Sequence, residues 1–301
     1  MGRMFYPTQN SEPIYNDAIS TVNKAGQMSN QGWAVDAERM YEGELGDLFY
    51  LDPNPTGSPC VLLLHGLGAD GASWEYQLRA LAEAGMRPVA PDLPGFGRSI
   101  YRGKGWKLME VRGEMFRFLD SLTTQPAKVV GLSMGGALAV SMGIEGAGRV
   151  DQLVLMNTFA CLRPKTFSER LYLVRRFLVA NLRGVKYQAE FVAWRLFPHA
   201  DQAGLRQLLV EKILQADRNV YRAAMRQLAV FDARRRLGEI RMPTLVVTAE
   251  GDTTVPREIQ DVLARNIPGA RQVMVPDSGH AVIVDQWEHV NKILLDFFHC
   301  Q

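Results

Sequence analysis

Cysteine is scarce in this chain, and what there is does not pair. Cys60, Cys161 and Cys300 are far apart, odd in number and contain no Cys-x-x-Cys, a pattern that supplies neither a disulfide framework nor a zinc site. Long apolar runs are missing too: no uninterrupted stretch approaches the ~18 residues that a membrane helix needs. Residues 1–31 are polar and lack the apolar centre of a secretory signal, so a soluble, cytoplasmic protein is expected. Neither sign of charge dominates, since 34 Lys+Arg against 32 Asp+Glu leave a formal +2. That balance excludes a general nucleic-acid binder. It is not uniform, however: residues 162–241 hold seventeen basic and seven acidic residues, which makes this middle segment basic and the remainder acidic, a pattern read as solvated helix faces.

What is abundant is apolar side chain, at 47% of 301 residues, enough for a large core in one α/β domain carrying an insertion. Residues 1–37 have no clear period and read as an N-terminal arm, with a short helix near Asp17–Lys24. Two short strand-like runs follow around Glu44–Asp47, ending at the breaker Asp52-Pro53-Asn54-Pro55, and suggest an antiparallel edge. Beyond it, buried strand-like runs at Cys60–Leu64, Met86–Ala90, Lys128–Gly131, Gln152–Met156, Thr244–Thr248 and Arg271–Val275 alternate with helical patterns. The helices are placed at Trp74–Ala84, Lys107–Leu122, Gly136–Gly143, Pro256–Asn266 and Asp285–His299. Such alternation predicts an α/β fold with a mostly parallel sheet covered on both faces.

Between Asn157 and Ile240 the rhythm breaks. Amphipathic stretches at Thr166–Leu182, Tyr187–Phe197, Gly204–Ala216 and Asn219–Asp232 follow one another without a strand, the first opening on the capping-box spacing Thr166-x-x-Glu169. The expected division is therefore a core of residues 38–158 and 240–301 with an all-helical cap of residues 159–239. Loops at the carboxyl ends of parallel strands carry ligand sites, so the cap should roof the site. The apolar Leu171–Leu182 stretch is a candidate lid over lipid, with packing on the body the more economical reading.

The chemistry centres on Gly131-Leu132-Ser133-Met134-Gly135-Gly136, between an apolar strand and a small-residue helix. A Gly-x-Ser-x-Gly turn forces its serine into a strained backbone, and only glycine tolerates the close approach of strand and helix around it. A serine hydroxyl needs a base, and the base needs an orienting acid. Of the five histidines, His280 alone follows the last strand in a Gly-His loop. His289 and His299 fall within the terminal helix and His199 within the cap, while His65 is given a structural hydrogen-bonding role. Asp252 follows the Thr244–Thr248 strand, with Gly251 supplying a bend. Asp277 is read as a turn residue and Asp92 as ordering its own loop. The developing oxyanion needs donors, taken as the backbone amides of Met134 and of Leu67, with Gly68 permitting the tight path.

These pieces resemble the α/β-hydrolase superfamily, of the capped, serine-nucleophile, carboxylesterase-like type. The resemblance rests on His65-Gly66-Leu67-Gly68, Pro91-Asp92-Leu93-Pro94-Gly95-Phe96-Gly97-Arg98-Ser99, Gly131 to Gly136, Gly251-Asp252 with Val255-Pro256, and Gly279-His280. They occur in the family's order, Ser133, Asp252, His280, and cover roughly Glu38 to Gln301. Serine at the elbow departs from the aspartate of haloalkane dehalogenases and epoxide hydrolases, and the oxyanion loop lacks the Gly-Gly-Gly run of some esterases. The resemblance implies a carboxylic-ester hydrolase of small or medium-sized substrates, working through an acyl-enzyme on Ser133 without metal or organic cofactor. A lactonase of the enol-lactonase kind or a carbon-carbon bond hydrolase with the same triad stays open, as does a ligand-binding receptor on the fold. The expected partner is a small ester or lactone, without nucleic acid or membrane insertion; a homodimer is left open. Trp74, Phe96, Trp106, Met134, Trp194 and Phe197 are candidates for a pocket wall, each placed more readily in the core.

Overall fold

The computed structural model describes residues 37–162, 171 and 184–299. The expected helix of the N-terminal arm, the capping box at Thr166 and, apart from Leu171, the first helix of the insertion lie outside these residues. Strands β1 (Glu38–Gly43), β2 (Gly46–Leu51), β3 (Cys60–Leu64), β4 (Arg87–Pro91), β5 (Ala127–Leu132), β6 (Val150–Met156), β7 (Thr244–Ala249) and β8 (Arg271–Val275) form one sheet. Their spatial order is β1-β2-β4-β3-β5-β6-β7-β8. β1 and β2 make an antiparallel hairpin, and β2 pairs antiparallel with β4 through Tyr50 and Leu51. Every other pairing is parallel.

The central strands β3, β5 and β7 are buried along their whole length, which is why they read as continuous apolar runs rather than as alternating ones. Successive residues of β3 serve different cores. Leu62 and Leu64 face a cluster built with α2 (Leu108–Leu122), α3 (Met134–Glu145) and α7 (Arg257–Asn266). Val61 and Leu63 face the cluster built with α1 (Glu75–Glu83), the short α8 (Val282–Asp285) and α9 (Trp287–His299). Each leucine or valine so buried contributes about 1.5–3 kcal/mol relative to exposure, and the two layers hold the carboxyl ends of the strands rigid. Between β6 and β7 run α4 (Val185–Leu196), α5 (Ala203–Gln215) and α6 (Arg218–Val230). No helix of the described residues is long and apolar enough to cross a membrane.

Most helix boundaries shift by one or two residues from expectation, and two differences have a visible cause. α3 begins at Met134 rather than Gly136, because Ser133 already accepts the first helical bond, from the Ala137 amide at 3.0 Å. The expected terminal helix from Asp285 is broken at Gln286 (φ −131°, ψ 45°) into α8 and α9. There the Asp285 carboxylate turns away to accept the Gly279 amide at 3.1 Å.

Candidate active site

Ser133 joins β5 to α3 with φ 54° and ψ −111°, a backbone geometry that costs about 1–3 kcal/mol and persists only where the surroundings impose it. The imposition is visible. The Ser133 amide donates to Met156 O at 3.0 Å, and Ser133 O accepts from the Thr158 hydroxyl at 2.6 Å. A Cβ on Gly135 would lie 2.1 Å from Leu64 O and 2.7 Å from His65 O, and one on Gly131 would lie 2.3 Å from Gly135 O. Strand and helix thus meet backbone to backbone, and the serine between them stays half-buried at the sheet's carboxyl edge.

His280 and Asp252 come together at that edge. His280 Nδ1 lies 2.8 Å from Asp252 Oδ2, and both side chains are buried. Asp252 Oδ1 accepts the amides of Thr254 (2.8 Å) and Val255 (3.0 Å), and Oδ2 also accepts Gln260 Nε2 (3.2 Å). These acceptor-only contacts leave Nδ1 as the donor in the histidine pair, so Nε2 is the nitrogen free to act as a base. The two loops are knitted by the Gly251 amide on Ser278 O at 2.9 Å. Burial pushes the nearby Asp285 carboxyl up. Asp277 is exposed in a turn with φ 51°, its carbonyl accepting from Gln286 at 3.2 Å.

Leu67 and Met134 flank the nucleophile. Met134 opens α3, where helical amides have no intrahelical acceptor and the helix dipole favours negative charge. A Cβ on Gly66 would lie only 3.6 Å from Ser133 Cβ, and Gly68 takes φ +82°. Neither the Leu67 nor the Met134 amide enters a turn, loop or cap hydrogen bond among the described residues. His65 braces this loop: its ring sits 2.8 Å from Gly66 O through Nδ1 and accepts the Leu93 amide at Nε2, 2.9 Å away. Asp92 accepts the amides of Gly71 and Arg98, both at 2.7 Å.

Burial holds His65 below the ordinary histidine value of 6.5, and protonation would also cost the Leu93 bond. The unfolded chain therefore binds a proton that the folded chain refuses. This contribution to stability is present in full above about pH 6.5 and is lost as the pH falls below it toward the depressed folded value. Stability to urea is expected to fall as the pH is lowered from about 7 to about 5.5 on account of this group. Asp92, which burial pushes up, titrates with the opposite sign. The comparison is therefore wild type against His65→Gln, in which the histidine's part of the slope vanishes; an unchanged slope contradicts the assignment.

Cys60 is no rival nucleophile, since burial at the start of β3 pushes its thiol up to about 12. A model of the alpha/beta hydrolase family matches residues 61–291. The chain belongs to that family. It is 32% identical over 257 residues to the "Putative carbamate hydrolase RutD" of Variovorax paradoxus (strain S110), covering 83% of this chain and 95% of that one. It is 27% identical over 270 residues to a 2-hydroxy-6-oxononadienedioate/2-hydroxy-6-oxononatrienedioate hydrolase of Cupriavidus pinatubonensis, covering 85% and 92% of the two chains. Among solved structures, the enol-lactonase of Burkholderia xenovorans LB400 superposes with a TM-score of 0.78 at 25% identity, over 86% of this chain and 99% of that one.

In this hydrolase the helices between β6 and β7 reach the loops that carry Gly68, Gly95 and Thr253. A Cβ on Gly68 would meet Ile213 Cγ1 at 2.5 Å and Tyr221 Cε2 at 3.2 Å. Lys212 of α5 pairs with Asp70, the Asp217 amide bonds Gly95 O at 3.0 Å, and Arg195 of α4 donates to Thr253 O beside Asp252. Of the candidate wall residues, Trp74, Phe96, Trp106, Met134 and Phe197 are buried in the packing. Trp194 is 61% exposed instead, because the outward face of α4 turns it to solvent, where the Arg206 guanidinium lies 4.1 Å from its ring centroid. His199, His289 and His299 are exposed, and the histidine bonded to Asp252 is His280. Four residues that brace the site have no role in the sequence reading: Asn157 and Thr158, which the sequence offers only as a strand end resembling enol-lactonases, Gln260 and Asp285. Gln260 had one weak signal, a polar residue on the buried face of α7.

Proposed function

We propose that this chain is a serine hydrolase that cleaves carboxylic esters of small or medium-sized substrates through an acyl-enzyme on Ser133. The observation that carries the reading is the 2.8 Å pair between His280 Nδ1 and Asp252 Oδ2, at the same strand ends as a serine held on a strained elbow. Ser133 Oγ attacks the ester carbonyl while His280 Nε2 takes its proton. The amides of Leu67 and Met134 receive the oxyanion, and His280 then gives the proton to the departing alcohol. Asp252 holds the imidazole with Nδ1–H inward, and water activated by His280 releases the acid. One oxyanion donor is worth about 3 kcal/mol in comparable sites.

Residues 159–239 act in this reading as a cap that selects the acyl and alcohol parts; what supports it is the contact of α4, α5 and α6 with the loops of Gly68, Gly95 and Thr253. The relatives named above are a carbamate hydrolase, an enol-lactonase and a hydrolase of 2-hydroxy-6-oxo dienedioates and trienedioates, and each of these substrates offers a carbonyl carbon to attack. An ester is the simplest substrate that the same attack and the same leaving step accept. A second reading, carbamate hydrolysis, is favoured by the curated relative of Variovorax paradoxus. The test is a panel of aryl acetate, butyrate and octanoate, an enol-lactone, a vinylogous diketone and an alkyl carbamate. The expected ranking puts a short aryl ester or the lactone ahead by about tenfold or more in kcat/KM. A carbamate or diketone ranked first by that margin overturns the ester assignment.

A further inference from the structure

Asn157 stands at the carboxyl end of β6, completely buried, with φ 44°. Left-handed backbone is uncommon outside glycine, and asparagine is among the residues that tolerate it best. Every arm of its side chain is used. Nδ2 donates to Gly279 O at 3.1 Å and to His280 O at 3.0 Å, while Oδ1 accepts the Ala249 amide at 2.9 Å. One carboxamide thus ties the last residue of β7 to the two carbonyls around the His280 backbone. The next residue, Thr158, donates its hydroxyl to Ser133 O at 2.6 Å, and its side chain fills the space that a Cβ on Gly136 would need. Two consecutive residues therefore hold the main chain of the nucleophile and the main chain of the base.

We infer that Asn157 and Thr158 form a positioning pair that sets how His280 Nε2 meets Ser133 Oγ; this rests on the serine-hydrolase reading above. The bond to Asp252 fixes the rotation of the imidazole but not the place of the loop that carries it. That place is held by the carboxamide, together with the Gly251 amide on Ser278 O and the Asp285 carboxylate on the Gly279 amide. Only an amide offers two donors in one plane together with an acceptor: aspartate would turn acceptors toward both carbonyls, and serine would supply one donor. Neither Asn157 nor Thr158 touches the reacting atoms, so both act through the groups they hold.

The test compares Asn157→Asp, Asn157→Gly, Thr158→Val and Thr158→Ser with wild type. Asn157→Gly deletes the carboxamide without forcing a side chain into the left-handed backbone. The readouts are kcat and KM on an aryl ester, and the rate at which a fluorophosphonate modifies Ser133, followed by intact mass in variants that keep their near-UV circular dichroism. Expected is a fall of about tenfold to a hundredfold in kcat and in labelling rate for both Asn157 variants, with KM held within about twofold. Thr158→Val falls in the same sense and Thr158→Ser, which keeps the hydroxyl, returns to wild type. Should the Asn157 variants fail to fold, the Thr158 pair decides. Folded variants that label and turn over at the wild-type rate, whatever their loss of thermal stability, overturn the inference and leave the serine-hydrolase reading standing. Ester turnover by a wild type whose Ser133 is never labelled overturns both.

Discussion

Ser133→Ala lowers turnover of a short aryl ester by about 10⁴-fold or more while the protein stays folded. The loss removes the atom that bonds to the acyl carbon, and what activity is left comes from the Leu67 and Met134 amides and from substrate binding. The same position makes a separate prediction about stability. Ser133 is held at φ 54° and ψ −111°, a conformation in which any Cβ is strained and glycine is not. Ser133→Gly should therefore be as inactive as the alanine variant but more stable than wild type by about 1 kcal/mol, measured by urea unfolding. Wild-type turnover in Ser133→Ala sinks the assignment of the nucleophile; a destabilised Ser133→Gly sinks the account of the strain.

The second large effect is structural. Gly135→Ala places a methyl carbon 2.1 Å from Leu64 O and 2.7 Å from His65 O. Both are backbone atoms at the end of β3, a fully buried central strand, so α3 must retreat instead. Overpacking of this kind costs about 3 kcal/mol. The shift carries the Met134 amide and Ser133 with it, and a misplacement of about 1 Å lowers kcat about a hundredfold in the fraction that folds. Gly113→Ala, in the middle of α2, is the control: its Cβ would have only Arg117 Nη1 within 4 Å, at 3.6 Å. It should gain about 0.5–1 kcal/mol from helix propensity. Urea midpoints and kcat for the two variants check the pair, and equal effects would refute the close-contact explanation.

Physical reasons separate what was legible in the chain from what was not. β3, β5 and β7 are covered on both faces, so they print as unbroken apolar runs between breakers, and their boundaries agree with expectation to within a residue or two. Ser133, Asp252 and His280 could be named as candidates because each follows a strand close to a glycine. Asn157, Thr158, Gln260 and Asp285 left no such mark: they serve the site by hydrogen bonds to backbone or carboxylate groups distant in sequence, and such bonds impose no spacing. The break at Gln286 was hidden for the same reason, since it follows from the reach of Asp285 to Gly279. Trp194 shows the limit of periodicity, which marks an apolar stripe but not its rotation toward core or solvent.

The central claim is a covalent one, and mass spectrometry of the enzyme during turnover addresses it most directly. Wild-type protein mixed with an aryl ester, quenched in acid and digested, should carry the acyl group on the peptide containing Ser133, and Ser133→Ala should carry none and release acid more slowly by about 10⁴-fold or more. Ester turnover with the acyl group on another residue, or undiminished turnover by Ser133→Ala, would contradict the account.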